Sequence, residues 1–107
     1  MSKRIKRQAG MLRFLKKTNP VTANAIIKTS NTDLLNSLCE CTLNILNGVV
    51  PLSPKQRHRL VKYKQHMRRL ITKSVSRDKK KALLQKGGFL SALLAPIIGI
   101  LTNILGG

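Results

Sequence analysis

The sequence predicts an all-α protein: a small antiparallel helical hairpin, preceded by a basic N-terminal arm and followed by a hydrophobic C-terminal helix. Three observations carry that expectation. Apolar residues recur every three or four positions through much of the chain, which is the period of one helix face. Capping signatures stand in front of those stretches, where a helix start needs its first amides satisfied. The last 21 residues, Gly87 to Gly107, carry no charge, while the rest of the 107 hold all 21 Lys and Arg against only Asp33, Glu40 and Asp78. The chain therefore divides into a basic arm (1–29), a basic helical domain (30–86) and a hydrophobic tail (87–107).

Along the arm, from Lys3 to Lys17, seven basic residues alternate with Ile5, Met11, Leu12 and Leu15, whose spacing approximates one apolar stripe on a helix. Asn19-Pro20 ends it, because a residue before proline is pushed out of the helical region. Such an arm orders on nucleic acid or anionic lipid, or stays a solvated terminus with a nuclear-import run. It is too interrupted by charge for a secretory signal and has the Arg content of a mitochondrial presequence; a nucleus or a virion is the address it suits best.

After a polar stretch, Ser30-Asn31-Thr32-Asp33 matches the S-x-x-D capping pattern, so a helix should follow. Leu34, Leu35, Leu38, Cys41, Thr42, Ile45 and Leu46 give it one apolar side, and Asn47-Gly48 supplies the residue types that close a helix in a left-handed turn. A second helix begins at Ser53-Pro54-Lys55-Gln56, with Ser at the cap, Pro at the first helical position and Gln three residues after the cap. Leu60, Tyr63, Met67, Leu70 and Ile71 line one side of it. Lys55, Arg57, Arg59, Lys62, Lys64, Arg68, Arg69 and Lys73 occupy the remainder. The short connector favours an antiparallel hairpin whose two apolar stripes cover each other.

Ser76 caps a further short helix carrying Lys79, Lys80 and Lys81, and Gly87-Gly88 interrupts it, either as a hinge or as an unhindered strand for a protease. Phe89 to Leu105 would extend about 25 Å as a helix, short of a hydrocarbon core of about 30 Å, with Pro96 removing a hydrogen bond midway. Ser91, Ala95, Gly99 and Asn103 form a small-residue stripe suited to seat a neighbouring helix. With the hairpin stripes already matched, the tail is surplus. Phe89, Leu90, Leu93, Leu94, Ile97, Ile98 and Leu101 are then expected to dock in a partner's groove or to enter a membrane, with an anchor or an ordinary core helix as the alternatives.

A formal charge of +18 directs the basic part toward polyanions, and the candidate phosphate contacts are Lys3, Arg4, Lys6, Arg7, Arg57, Arg59, Lys62, Lys64, Arg68, Arg69, Lys79, Lys80 and Lys81. No aromatic platform for single strands and no sequence-reading motif accompanies them. Catalysis is not expected. Three scattered carboxylates, two histidines on a basic helix and two helical cysteines make no acid/base pair, triad or phosphate loop. Cys39 and Cys41 point about 200° apart on a helix, so neither a metal site nor a disulfide is expected, and no cofactor is implied.

LCECTLNILNGVVPLSPKQRHRLVKYKQHMRRL (38–70) and KKKALLQKGGFLSALLAPIIGILTNILGG (79–107) together resemble small basic proteins of Polinton-type (Maverick) elements and adintoviruses. That group is similar in role to the adenovirus core peptide precursor. The resemblance implies a DNA-condensing virion component packaged with double-stranded DNA, bound to a capsid protein or membrane through its tail, able to self-associate, and cut by a viral cysteine protease at a double glycine. Gly87-Gly88 is the implied site; Ile104-Leu105-Gly106-Gly107 matches the pattern of such a cut more closely. Two further readings stand beside it: a membrane-active cationic peptide precursor cut at Gly87-Gly88, and a secreted cationic toxin.

Overall fold

The computed structural model describes residues 2–104, with side chains as far as Leu101. Ser2 accepts a hydrogen bond from the Ile5 amide at 3.2 Å and opens α1 (Lys3–Arg7); after a break at Gln8, α2 (Ala9–Lys17) continues the arm. Ile5, Leu12 and Leu15 are buried as the stripe requires, while Met11 turns outward. Asn19-Pro20 is a start as well as a stop. The Asn19 side chain accepts from the Thr22 amide at 2.8 Å and Pro20 takes the first position of α3 (Pro20–Lys28), a helix the sequence reading left as a polar stretch.

Asn31, not Ser30, caps α4 (Thr32–Leu46), accepting from the Leu34 amide at 2.9 Å. Ser30 instead donates its hydroxyl to the Ile27 carbonyl at 2.7 Å and finishes α3. At the far end Gly48 adopts φ +75°, and its amide and that of Val49 bond the Ile45 and Asn44 carbonyls at 3.1 and 3.0 Å, the left-handed stop that Asn47-Gly48 predicts. Ser53 and Gln56 form the expected reciprocal capping box of α5 (Pro54–Val61). The expected long second helix is broken at Lys62-Tyr63, so α6 (Lys64–Leu70) is a separate element. Ser76 caps α7 (Arg77–Leu84), and α8 (Phe89–Ile104) follows, with Pro96 inside it. Leu105 and the closing Gly106-Gly107 pattern lie outside the described residues.

The packing differs from a self-contained hairpin. α4 rests on α1 and α6, whereas α5 packs on α8. The remaining main contacts of α8 are with α2, α4 and α7. A helix apolar on nearly all sides belongs inside, and α8 is the central helix of the fold. Phe89, Leu93, Leu94, Ile97 and Leu101 are fully buried, Leu90 is buried, and Ile98 is partly buried against the same cluster. These seven residues, expected to dock on a partner or a membrane, are the protein's own interior. The physical reason is proximity: the stripes of α2, α4 and α5 lie on the same chain, and an intramolecular apolar surface is met at far higher effective concentration than any partner's. One hydrophobic cluster thus draws on Ile5 and Leu12 from the arm, Leu38 and Leu70 from the middle and Phe89 and Leu101 from the tail.

Of the small-residue stripe, Ser91 and Ala95 are half-buried and Gly99 is exposed, with nothing within 4 Å of where a Cβ would stand, so no helix is seated at Gly99; the Asn103 side chain lies outside the described residues. Among the described residues no single helix is long and apolar enough to cross a membrane.

α7 and α8 meet at 85° across Gly87-Gly88. The Tyr63 hydroxyl donates to the Gly87 carbonyl at 3.1 Å, and Gly88 sits at φ +82° with a hypothetical Cβ only 2.8 Å from that hydroxyl oxygen. Both the backbone angle and the close approach demand glycine there. The pair is an exposed, structured corner that aims α8 into the core.

Candidate nucleic-acid interface

Only three carboxylates are available to 21 cations, and where they go decides which cations remain for a ligand. Asp33, in the first turn of α4, accepts from Arg7 at 3.0 Å and from the Gln8 side-chain Nε2 at 2.8 Å, and lies 3.5 Å from Arg4. Glu40, two turns further along α4, takes the Arg4 guanidinium at 3.4 Å. Arg4 and Arg7, expected on phosphate, are therefore tied down by a polar latch that holds α1 against α4. The hydrogen bond from Gln8, followed by Arg7 and Arg4, keeps the Asp33 carboxyl below the usual carboxylate range, against the opposing effect of its partial burial.

The sign of the pH effect follows from that direction. A carboxyl with a lowered folded-state pKa stabilises the fold above the unfolded value, and the contribution is lost as pH falls through the folded value. Acidification from neutrality through about pH 4 and below should lower the melting temperature of the wild type more than that of Asp33→Asn, as read by circular dichroism. Equal losses in the two proteins would remove the latch from the account.

Three other cations serve the fold. Arg13 donates to the Leu101 carbonyl at 3.4 Å, toward the C-terminal part of α8, where a cation also meets the negative end of the helix dipole. Arg77 bonds the Thr32 hydroxyl at the start of α4. Lys81 donates to the Lys28 carbonyl at 3.4 Å, where α3 ends. Lys81, a predicted phosphate contact, is half-buried in that position, and Lys80 is half-buried beside it.

The other predicted contacts are placed differently. Lys3 and Lys6 are exposed on α1, Lys79 is exposed on α7, and Arg57, Arg59, Lys62, Lys64, Arg68 and Arg69 are all exposed along α5, the intervening turn and α6. Among the described residues the ion pairs involve only Arg4 and Arg7, so these nine exposed cations have no carboxylate partner. Six of them fall within thirteen consecutive residues, Arg57 to Arg69. The capping box at Ser53 starts that stretch, and Leu60, Met67 and Leu70 pin its inner side into the core. Lys55 and Lys73 extend it at either end, also exposed.

His66, one of the two histidines on the basic stretch, is part of a small aromatic group. Its ring is 5.7 Å from Tyr63, edge-on, and 5.4 Å from Phe89, while Tyr63 and Phe89 lie 5.3 Å apart. The group joins α6 and the turn before it to the first residue of α8. The two cysteines are both free: Cys39 lies half-buried with its Sγ 3.4 Å from the Leu70 carbonyl, and Cys41 is fully buried. Burial raises the Cys39 thiol and pushes Cys41, beside Glu40, up to about 12, so neither offers a thiolate for chemistry near neutrality.

No protein-family model, curated protein or solved structure matches the chain. What the fold defines is an all-α body with a shared apolar interior and a surface bearing a large excess of unpaired cations.

Proposed function

We propose that the chain is a nonspecific DNA-binding and DNA-condensing protein, a structural component of a virus-like particle rather than an enzyme. One observation carries the reading: two of the three acids are consumed in holding α1 on α4, leaving the α5–α6 cations exposed and, among the described residues, without carboxylates. A row of such groups spread along two short helices and the turn between them is suited to phosphates at no fixed sequence, because it presents charge along a surface with no sequence-reading motif around it. The mix of Lys with Arg suits the same end, since a flexible ammonium accepts many phosphate geometries.

Size agrees with charge. Duplex DNA carries one negative charge per about 1.7 Å of axis, so 18 excess cations match roughly 30 Å of duplex, and the protein's longest dimension is 34 Å. Exposed cations on α1 as well as on α5–α6 and α7 give one molecule more than one cationic element, which is what drawing duplex segments together requires. The virion setting is supported by the resemblance to the Polinton and adintovirus basic proteins. The membrane-active alternative needs Phe89, Leu93 and Ile97 at a surface, and in this fold they are fully buried.

The test is the salt dependence of affinity for a random-sequence duplex, measured by fluorescence anisotropy. With about eight phosphates engaged, log Kd should change with log salt with a slope of magnitude near 7, and duplexes of unrelated sequence should bind alike. A slope magnitude below about 2, or a strong preference for one sequence, would remove this function.

A further inference from the structure

Beyond the cationic surface, the fold leaves an apolar groove open between the C-terminal half of α4 and the α5–α6 pair. It has a volume of about 190 Å³, with Ile45, Leu46, Leu52, Leu60 and Met67 lining it and Val61 beside them. Val61 is 65% exposed at the edge of this groove, an apolar side chain on a helix otherwise crowded with cations. A second hollow of about 410 Å³ adjoins it, shares Leu52, Arg57 and Val61, and adds His58. Through those three shared residues the two shallow hollows adjoin as a strip across α5. Arg57 and Lys64 line the first hollow and Arg57 and His58 the second; neither contains an Asp or Glu.

An apolar strip edged only by cations selects its occupant. A second copy of the chain brings +18 of like charge to the contact, so self-association here is opposed. Duplex DNA offers phosphates and no apolar side chains to fill the strip. A helix with apolar residues along one face and carboxylates on its flanks satisfies both halves at once, the apolar face in the groove and the carboxylates against Arg57 and Lys64. We propose that this groove docks an acidic amphipathic helical segment of another protein. The docked segment takes Arg57 and Lys64, so it and DNA cannot hold those two side chains together. The inference does not depend on the DNA-binding reading, since the groove is defined by its own apolar residues.

The full chain would be titrated with three fluorescein-labelled peptides, read by anisotropy at about 150 mM salt. One carries Leu and Glu arranged with the leucines on one helical face, the second has the same composition with that face scrambled, and the third replaces Leu by Ala at equal charge. The facial peptide should bind at least about tenfold more tightly than either control. Val61→Ser, a change at an exposed position without change of charge, should reduce that binding by about fivefold or more while leaving the Ala peptide's binding and the circular dichroism spectrum as they are. Equal binding of the three peptides, or indifference to Val61→Ser, overturns the proposal. So does either rival occupant: a dimer by sedimentation that Val61→Ser dissociates, or Val61-dependent binding to phosphatidylserine vesicles with no preference among the peptides.

Discussion

Phe89→Ala is expected to cost about 3–5 kcal/mol of folding free energy, enough to leave the protein largely unfolded near body temperature. The magnitude comes from where the ring sits. Phe89 is fully buried, starts the central helix, and touches the aromatic pair Tyr63 and His66 that ties α8 to α6. Alanine would leave a void in the cluster and would release the ring contacts beside the corner at Gly87-Gly88. A chain of this charge has little stability to spare, because compaction brings unpaired cations together. The matched control is Val21→Ala, at a side chain 80% exposed, which should change stability by less than about 0.5 kcal/mol. Urea unfolding followed by circular dichroism compares the two. A loss of under about 1 kcal/mol for Phe89→Ala would mean that α8 does not form the interior.

The same result separates two views of the C-terminal segment. Were it an accessory that serves a membrane or a capsid, its truncation would spare the remainder. With α8 as the central helix, removing it takes away the helix on which α2 and α5 pack, and most of the tail's share of the cluster that holds Leu12, Leu15 and Leu60.

What the sequence made legible was local. The capping box at Ser53-Pro54-Gln56, the cap at Ser76 and the left-handed stop at Gly48 are each decided by residues within a few positions of one another, and all three stand in the fold as expected. Asn19-Pro20 carried the same kind of signal as Ser53-Pro54, a capping side chain followed by proline, and α3 was missed because the proline was read only as the end of what precedes it. The helix class followed from periodicity, which is also local.

Non-local pairings were not legible. The arm looked unattached because its partners, Asp33 and Glu40, lie 26 and 36 residues from Arg7 and Arg4. The tail looked surplus because two one-sided stripes joined by a short connector match each other, whereas α5 turns to α8 and α4 packs chiefly on α1 and α6. A one-sided apolar pattern says that a face must be covered and not by which element. The break at Lys62-Tyr63 divides a periodicity that continues through it, so the stripe alone gives no sign of two helices. The cation rows on α5 and α6 were legible for the opposite reason: exposure needs no partner to be identified.

Replacing Arg57, Arg59, Lys62, Lys64, Arg68 and Arg69 together by Gln is expected to flatten the salt dependence of DNA binding from a slope magnitude near 7 to about 2, as six of about eight phosphate contacts disappear. Between 50 and 200 mM salt the wild type should then lose affinity by about 10⁴, and the variant by only about tenfold. The fold should survive, because all six side chains are exposed, Gln is a good helix former, and removing like charges relieves self-repulsion. Arg4→Gln with Arg7→Gln supplies the contrast. Those two cations are held by Asp33 and Glu40, so their loss should lower thermal stability while leaving the slope close to the wild-type value. A six-residue variant that keeps the wild-type slope would move the DNA contact off α5 and α6. A flattened slope in the Arg4 and Arg7 variant would show that the latch opens on DNA and that α1 is itself part of the contact surface.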